Sequence, residues 1–413
     1  MRDDDEVEKP PFISMADPGS FARYTLDERF PRIIDSVMAP RSGGEEAELA
    51  ALRAQIPDGR ISDPFARDGC PVAGYDPGAF DAGGLAAWRG EIAKYSGLSW
   101  TRLPFYFAES YLYLRILLAC GYYDKASRYF QKDPYENLKE DELDHFLASE
   151  GMENMAAAFT QTPRSHAQDM FAPALLFMLK ANRIDLSNTE VARLGRQLIL
   201  SSSRDDLIVD HTDSLARRVG ASRRLHIILD NAGAELAADL IFTWLYLASD
   251  PARQIVLHAK KDPTFVSDAL KKDIYKTAAK LKSRPSLKSI GKDIETFIMQ
   301  GRLRAADHFF WNGPRHFPAM PEDLRRDIAG ADITLLKGDA NFRRMTEDRH
   351  WPFNTNLETL TSWFPGTYAI LRTLKSETAT DIPEELSARL TRTDPGWLTN
   401  GRWGFVRLVP YTE

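Results

Sequence analysis

Apolar residues along the chain follow two different spacings. Between residue 21 and about residue 215 they recur mainly at intervals of three and four, which predicts amphipathic helices. The clearest examples are 30–38, 45–55, 107–120 and 172–179. A run rich in Gly, Pro and Asp over 57–84 breaks this pattern and indicates a loop.

Beyond residue 220, short apolar runs of strand type alternate with helical segments. This alternation is typical of a parallel sheet whose strands are joined by helices. The predicted strands are 225–229, 254–258, 333–336, 368–371 and 404–408. The predicted helices between them are 235–247, 266–281, 290–300 and 322–328. We therefore expect an α/β fold, with a three-layer, mostly parallel, Rossmann-like sheet and an N-terminal helical lobe.

The same patterns divide the 413 residues into three parts. Residues 1–20 carry acidic residues, Pro and Gly, so we expect a flexible arm there. Residues 21–215 form the predicted helical lobe, and residues 216–413 form the predicted α/β domain. A chain of this length is expected to have more than one lobe.

Composition and charge narrow the class of protein. Hydrophobic residues make up 43% and charged residues 27%, a balance typical of a folded, soluble protein. The net charge of −6 argues against a nucleic-acid binder, because binding to phosphate backbones depends on a basic surface. Glu109 and Arg115 lie within the most apolar stretch, 103–123, which favours a buried helix over a membrane span.

The cysteine content and the first residues of the sequence indicate a cellular compartment. Cys70 and Cys120 are too few for a disulfide framework and match no zinc motif. The first residues are acidic where a secretory signal would be basic and then apolar. We therefore expect a cytoplasmic protein. The sequence leaves its oligomeric state open, with a monomer as the starting assumption.

Polar residues follow the first two predicted strands of the α/β domain. Asp230 and Asn231 come directly after 225–229, and Glu235 lies one helical turn further on. Asp268 follows the next strand. Ligands of open α/β sheets bind beyond the carboxyl ends of the strands, and carboxylate and amide oxygens suit Mg²⁺ or Mn²⁺. The structural alternative is that these residues only cap the following helices.

Two later strands end at residues that could bind phosphate. Lys337, Asp339 and Asn341 surround a glycine after 333–336, where the backbone can approach an anion closely. Arg372, Thr373 and Lys375 follow 368–371 and could clamp a phosphate, Arg through its planar fork and Lys as a point charge. Turn chemistry and a solvated helix face are the alternatives.

Together these segments resemble the damage-control phosphatases, specifically the acidic-residue methyltransferase-like subfamily III. The likeness extends from about residue 20 to the C-terminus. It rests on these motifs: Leu-Asp-Asn-Ala-Gly-Ala-Glu-Leu at 229–236, Pro263 with Phe265-Val266-Ser267-Asp268, Phe310-Trp311, Lys337-Gly338-Asp339, Arg349 with Trp351, Arg372-Thr373-Leu374-Lys375 and Gly401-Arg402-Trp403-Gly404.

The resemblance implies a metal-dependent phosphatase that hydrolyses small phosphorylated metabolites, among them sugar phosphates and damaged metabolites. It implies that the 216–413 domain holds a divalent metal, Mn²⁺, Co²⁺, Ni²⁺ or Mg²⁺. The implied metal ligands are Asp230, Asn231 and Asp268. The expected phosphate contacts are Arg372, Thr373 and Lys375 from the family motif, together with Lys337, Asn341 and Arg402.

The catalytic roles of three carboxylates are left open by the sequence, and two functions other than a phosphatase are alternatives. Asp230 could attack the phosphorus itself or hold the metal while water attacks, and Glu235 and Asp339 are candidates for proton transfer or for orienting neighbours. An S-adenosylmethionine-dependent carboxyl methyltransferase would need a glycine-rich turn, whereas 230–233 has one glycine and two hard ligands. A non-catalytic metabolite-binding protein would keep the pocket without turnover.

Two departures from the subfamily concern the substrate. Residues 200–203 read Leu-Ser-Ser-Ser where the subfamily typically has Leu-Trp-Gly-Asn. Arg402 stands where Lys is common, which keeps the charge but changes its geometry. We therefore expect an intact metal site and an altered substrate preference.

Overall fold

The computed structural model describes residues 9–65, 82–161, 164–181 and 204–411. Cys70, the 200–203 segment and most of the predicted 57–84 loop lie outside the described residues. Among the described helices, none combines the length and apolarity that crossing a membrane requires.

A seven-stranded sheet, counted over the described residues, forms the centre of the α/β domain, with strand order β1-β7-β6-β5-β2-β3-β4. Its strands are β1 Leu207–Asp210, β2 Arg224–Ile228, β3 Gln254–Ala259, β4 Leu303–Asp307, β5 Ile333–Lys337, β6 Tyr368–Thr373 and β7 Gly404–Val409. Neighbouring strands pair in parallel except for β6 and β7. The carboxyl ends of β2 to β6 therefore share one edge of the sheet.

The five predicted strands are confirmed, with ends within two residues of the prediction. The sequence did not predict β1 and β4, the two edge strands. Both consist largely of half-buried and exposed residues, so their apolar pattern is weak. β1 also lies before residue 216, so the sheet begins earlier than the predicted domain boundary.

Helices of the first half of the chain are α1 Phe21–Tyr24, α2 Phe30–Met38, α3 Gly44–Ala54, α4 Ala82–Tyr95, α5 Phe105–Ala119, α6 Glu136–Leu147, α7 Glu150–Gln161 and α8 Phe171–Lys180. A π-helical turn, Thr25–Arg29, links α1 to α2, and 3₁₀ turns span Trp100–Arg102 and Arg164–Met170. All four helices predicted in this half are present.

Helices of the second half are α9 Thr212–Ala221, α10 Gly233–Ser249, α11 Lys271–Ser283, α12 Lys288–Met299, α13 Glu322–Ala329, α14 Gly338–Met345, α15 Leu357–Leu360 and α16 Glu384–Thr393. Short 3₁₀ turns span Pro285–Leu287, Phe309–Asn312 and Phe317–Ala319. The predicted helix 266–281 is wrong over its first turn, because residues 267–270 run alongside the end of β2 instead.

Helices cover both faces of the sheet. One face packs against α10, together with α6, α8, α11 and α12, in a single apolar core. The other face packs against α13, α14, α16 and the aromatic turn Phe309–Asn312. A third apolar core joins α2, α3 and α5. The predicted helical lobe is thus divided, since α6 to α8 belong to the core of the sheet.

The predicted flexible arm is wrong for residues 9–20. Ile13 and Met15 are fully buried, and their backbones hydrogen-bond to Phe105 and Leu103 in the lobe. Ile13 N also donates to Asp348 O at 2.9 Å. The acidic residues suggested disorder, but two buried apolar side chains hold this segment between the lobe and the α/β domain.

Candidate active site

A cavity of about 200 Å³ opens at the carboxyl edge of the sheet, between the α/β domain and the helical lobe. It brings together these predicted site residues: Asp230, Asn231, Glu235, Asp268, Asp339, Thr373 and Lys375. The lobe contributes further walls: Phe21, Arg29, Glu109 and Leu179. Four predicted residues, Lys337, Asn341, Arg372 and Arg402, are not part of its lining.

Asp268 reaches the end of β2 because the chain reverses after β3. The backbone of 267–270 runs antiparallel to 230–232: Ala232 N donates to Ser267 O at 2.7 Å, and Ala269 N donates to Asp230 O at 2.8 Å. The turn needs positive φ at Phe265 (48°) and Val266 (65°), a region costing L-residues about 1–2 kcal/mol each. Such local strain persists only where the surrounding structure imposes it.

Helix α6 fixes the Asp268 backbone. Lys139 on α6 is buried, and its ammonium donates to Asp268 O at 2.7 Å and to Asp133 Oδ2 at 2.9 Å. Asp273 Oδ2 lies 3.4 Å away on the same ammonium. This buried lysine ties α6 to the segment that carries Asp268, a link that the sequence did not indicate.

Carboxylates crowd the inner end of the cavity. Burial raises the pKa of Asp230 well above its ordinary value, and the charges of Glu235 and Asp268 raise it further. Burial also raises the pKa of Asp268, against the attraction of Lys260, whose ammonium lies 3.2 Å from Asp268 Oδ2. The site therefore carries excess negative charge that a cation would stabilise.

Asn231 connects the two sides of this cluster. Its Nδ2 donates to Asp230 Oδ2 at 3.1 Å and to Glu235 Oε2 at 2.8 Å, and its Oδ1 accepts from Ser267 Oγ at 2.6 Å. The amide thus spans the end of β2, the first turn of α10 and the reversed segment. Its carbonyl oxygen points to the same side as Ser267.

Lys337 is placed beneath the cavity and does not face a phosphate. It is completely buried, and its ammonium donates to Glu235 Oε1 at 2.8 Å, Asp239 Oδ1 at 2.7 Å and Met178 O at 3.1 Å. Although burial opposes it, the Asp239 and Glu235 charges raise the pKa of Lys337. Its structural position makes it the counter-charge that orients Glu235.

The Arg-Thr-Leu-Lys motif is split by the alternation of β6. Leu371 and Thr373 face the cavity, whereas Arg372 is fully buried on the other side, 3.8 Å from the centre of the Phe342 ring. Arg372 reaches the site only through Asp339, whose Oδ1 lies 3.1 Å from its guanidinium. Its expected phosphate fork is therefore not aimed at the cavity.

The remaining motif residues differ in exposure. Lys375 is exposed at the rim, and its backbone N donates to Asp339 Oδ1 at 3.3 Å. Thr373 Oγ1 is buried and, among the described residues, accepts or donates no hydrogen bond. Both side chains are available to a ligand in the cavity.

Asn341 and Arg402 lie outside the cavity for different reasons. Asn341 is completely buried and braces the strand ends, because its Nδ2 donates to Leu229 O at 3.1 Å and Lys337 O at 2.8 Å. Arg402 extends into solvent beside Trp403, 3.8 Å from Asp394. Neither arrangement puts a side chain on a bound phosphate.

Arg343 and the lobe residue Glu109 form a wall that the sequence analysis did not predict. Arg343 on α14 donates to Glu109 and makes a two-pronged contact with Asp348 at 2.8 and 2.9 Å. Arg29 lies 4.0 Å from Glu109. The one available signal was an ionisable residue inside the apolar 103–123 segment, since a buried charge requires a partner.

The donor set fits a divalent cation. Asp230, Asn231 and Asp268 offer the oxygen donors that hard cations prefer. Asp268 Oδ2 is buried and faces the Lys260 ammonium at 3.2 Å, without accepting a hydrogen bond of good geometry from the described residues. Two neighbouring buried carboxylates of this kind form an arrangement that a divalent cation would complete.

The cavity places hard oxygen donors at the carboxyl edge of a mostly parallel sheet, next to an exposed lysine and a helix N-terminus. This combination is typical of enzymes that bind a divalent cation and a phosphate group together. The chain belongs to the damage-control phosphatase ARMT1-like domain family, whose model matches residues 28–390. This confirms the predicted family, and with it a phosphatase, a hydrolase of small phosphorylated metabolites.

Relatives match over nearly the whole chain. Damage-control phosphatase ARMT1 of Rattus norvegicus is 28% identical, over 97% of this chain and 99% of its own length. The Danio rerio protein of the same name is 28% identical over 98% of both chains. The crystal structure of a DUF89 family protein from Pyrococcus horikoshii covers 94% of this chain and 96% of its own, with 14% identity and a TM-score of 0.49.

Proposed function

We propose that this phosphatase uses a divalent metal held by Asp230, Asn231 and Asp268, and that it hydrolyses sugar phosphates or chemically related damaged metabolites in the cytoplasm. One observation carries the proposal: Asp230 and Asp268, which come from different strands, line a single cavity with Lys375. Mn²⁺, Co²⁺, Ni²⁺ and Mg²⁺ are the candidate metals.

A metal at these ligands would neutralise phosphate oxygens and stabilise charge in the transition state. The protein's own groups would position the phosphate. Lys375 supplies a charge at the rim, Thr373 supplies an unused hydroxyl, and the first turn of α14 faces the cavity with its N-terminal end, which favours anions.

The two other carboxylates are suited to different tasks. Both oxygens of Glu235 are engaged, one by Lys337 and one by Asn231, so we assign it to orienting the ligand cluster. Asp339 lines the cavity with only its Oδ1 held by Arg372 and the Lys375 backbone. We therefore assign proton transfer to Asp339. The attacking group, water or Asp230, is decided by the stereochemistry at a chiral phosphorus: a single in-line attack by water inverts it, whereas two successive attacks through an aspartyl phosphate retain it.

The cavity supports a small, polar substrate. Its volume of about 200 Å³ suits a compact metabolite, and its lobe-side wall carries Arg29, Glu109 and Arg343. Charged and hydrogen-bonding groups of this kind bind the hydroxyls of a sugar better than an apolar leaving group. The proposed substrate class follows from this lining.

Calorimetric titration of Mn²⁺ into EDTA-stripped protein tests the metal assignment. Asp230→Ala and Asp268→Ala should each abolish metal binding and phosphate release from a panel of sugar phosphates. Asp230→Ala should unfold no earlier than wild type, because it removes a repelled, buried carboxylate. Asp144→Asn, at the exposed end of α6, is the matched control. Wild-type affinity in both alanine variants would remove these residues from the metal site.

Phosphate release should need no S-adenosylmethionine. The turn after β2 has two hard ligands and one glycine, which suits a cation better than a nucleoside cofactor. Incubation with radiolabelled cofactor and a carboxylate acceptor provides the comparison. Methyl transfer without phosphate release from any substrate would reverse the ranking of the two functions, and tight substrate binding without turnover would favour a non-catalytic protein.

A further inference from the structure

A second cluster of metal-ligating side chains lies on the face of the sheet opposite α10. His226 on β2, His258 on β3 and Asp327 on α13 hold ligand atoms within 4.8 Å of one another. Their strand neighbours Ile227 and Leu257 point into the core under α10, so alternation turns both imidazoles to the other face. We propose that these three residues bind a transition-metal ion such as Zn²⁺, at a site separate from the oxygen-lined cavity.

The distances are close to those of a tetrahedral site. His258 Nε2 lies 3.0 Å from His226 Nδ1 and 4.0 Å from Asp327 Oδ2. Ligand atoms at about 2.0–2.1 Å from a tetrahedral zinc ion lie roughly 3.4 Å from each other. The imidazoles thus need to part by a few tenths of an ångström, and the carboxylate, whose ligand atom lies within 4.8 Å of both imidazole atoms, needs to move inward by roughly 0.5–1.5 Å.

Both imidazoles are neutral, as metal binding requires. Burial lowers the pKa of His226 to about 4 and lowers that of His258 well below its ordinary value. In the metal-free protein one ring nitrogen must donate its hydrogen to the other across the 3.0 Å contact. Metal binding replaces that hydrogen bond by a shift of tautomer in one ring, and no net proton is released.

Arg304 holds the third ligand in place. Its guanidinium on β4 donates to both oxygens of Asp327, at 2.8 and 2.9 Å. A carboxylate can keep one such hydrogen bond while its other oxygen binds metal, and partners of this kind commonly orient metal ligands. The Asp327 side chain is 37% exposed, whereas His258 is 1% exposed. The site therefore opens to solvent on the α13 side, where an ion could enter and water could complete the coordination.

The two sites should select different ions. Two imidazole nitrogens and one carboxylate suit Zn²⁺, Co²⁺ or Ni²⁺, whereas the oxygen donors of Asp230, Asn231 and Asp268 also accept Mg²⁺. Excess Mg²⁺ should occupy the cavity and leave the histidine site to softer ions. This difference allows the second site to be measured separately from the proposed phosphatase metal.

The test is a Zn²⁺ titration of the full chain, stripped with EDTA and then held in millimolar Mg²⁺. We expect one Zn²⁺ per chain, with Co²⁺ giving the intense visible absorption of four-coordinate geometry. His258→Gln and Asp327→Asn should weaken Zn²⁺ binding at least tenfold. Asp327 is partly exposed, so its variant keeps the test valid if the buried His258 variant fails to fold. Asp230→Ala should leave this Zn²⁺ binding unchanged.

His145→Gln provides the matched control, because His145 is an exposed histidine on α6. It should bind Zn²⁺ as wild type does. The proposal is overturned if Asp327→Asn also binds Zn²⁺ like wild type, or if Zn²⁺ binding disappears in Asp230→Ala and survives in His258→Gln. The second result would place the zinc in the cavity, and the first would show that Asp327 is not a zinc ligand and that the proposed three-residue site does not exist.

Discussion

Gly338 and Asp230 meet without space for a side chain between them. A Cβ added to Gly338 would lie 1.8 Å from Asp230 Oδ2, and Gly338 has a φ of +79°. The glycine is needed for both reasons, since the left-handed conformation and the close approach each exclude a Cβ. The end of β5 thus holds the carboxylate at the end of β2 in its place.

Gly338→Ala should displace Asp230 and lower Mn²⁺ affinity at least tenfold. The strained backbone adds a destabilisation of about 1–2 kcal/mol, visible as a lower Tm. Gly366→Ala is the control, because no atom lies within 4 Å of a Cβ there. Calorimetry and thermal unfolding of both variants check the prediction. Equal metal affinity in the two variants would show that Asp230 does not need this contact to bind metal.

Lys375→Ala should raise KM for a phosphorylated substrate and lower kcat, because the exposed ammonium would meet both the bound phosphate and the transition state. Loss of a charge-assisted hydrogen bond costs about 1.5–3 kcal/mol, or roughly ten- to a hundred-fold in kcat/KM. Steady-state kinetics on one confirmed substrate measures this effect. A change within about twofold would place the phosphate elsewhere in the cavity.

Arg372→Lys should change the kinetic constants differently from Lys375→Ala. The reason is that Arg372 contacts Asp339 and the Thr378 carbonyl and not the cavity. We expect kcat to fall through a misplaced Asp339, while KM stays near that of wild type. The same kinetic measurement separates the two residues. A rise in KM as large as that of Lys375→Ala would mean that Arg372 turns to bind phosphate directly.

Lys337→Met should destabilise the protein by about 3–5 kcal/mol, because it leaves Glu235 and Asp239 buried without their counter-charge. Burial raises the pKa of Asp239 to about 7, although Lys337 opposes this. Adding Asp239→Asn to Lys337→Met should recover part of the loss. Urea unfolding of the single and double variants tests the coupling, and strictly additive effects would contradict it.

His316 should make stability fall as the pH decreases. Burial, followed by the nearby charge of Arg344, lowers the pKa of His316 to about 3. Below pH 6.5 the unfolded chain therefore takes up a proton that the folded protein does not, and stability is lost down to about pH 3. The loss from this residue reaches about 2 kcal/mol at pH 5.

His316→Asn should remove this part of the pH dependence. The free energy of unfolding, measured in urea at pH 7 and pH 5, should fall by about 2 kcal/mol less in the variant than in wild type. His145→Asn, at an exposed position, serves as the control and should follow wild type. Parallel curves for wild type and His316→Asn would show that the folded protein accepts a proton at this ring.

The sequence by itself determined the features that depend on neighbouring residues. Strands such as Ile333–Lys337 follow from runs of apolar residues, and Asp230 and Asp339 could be selected because they follow strands whose carboxyl ends meet at one edge. These patterns are local, so they can be recognised without knowing how distant segments pack.

Only the tertiary structure decided which distant residues meet. The reversal at Phe265 brings Asp268 back to β2, and Lys139 on α6 fixes it there. Packing of α10 on the sheet also commits Lys337 to buried carboxylates and turns a predicted phosphate contact into a structural ion pair. The histidine pair meets Asp327 through the docking of α13 on the sheet. Such contacts depend on burial and on the summed packing of separate elements, which local sequence patterns do not encode.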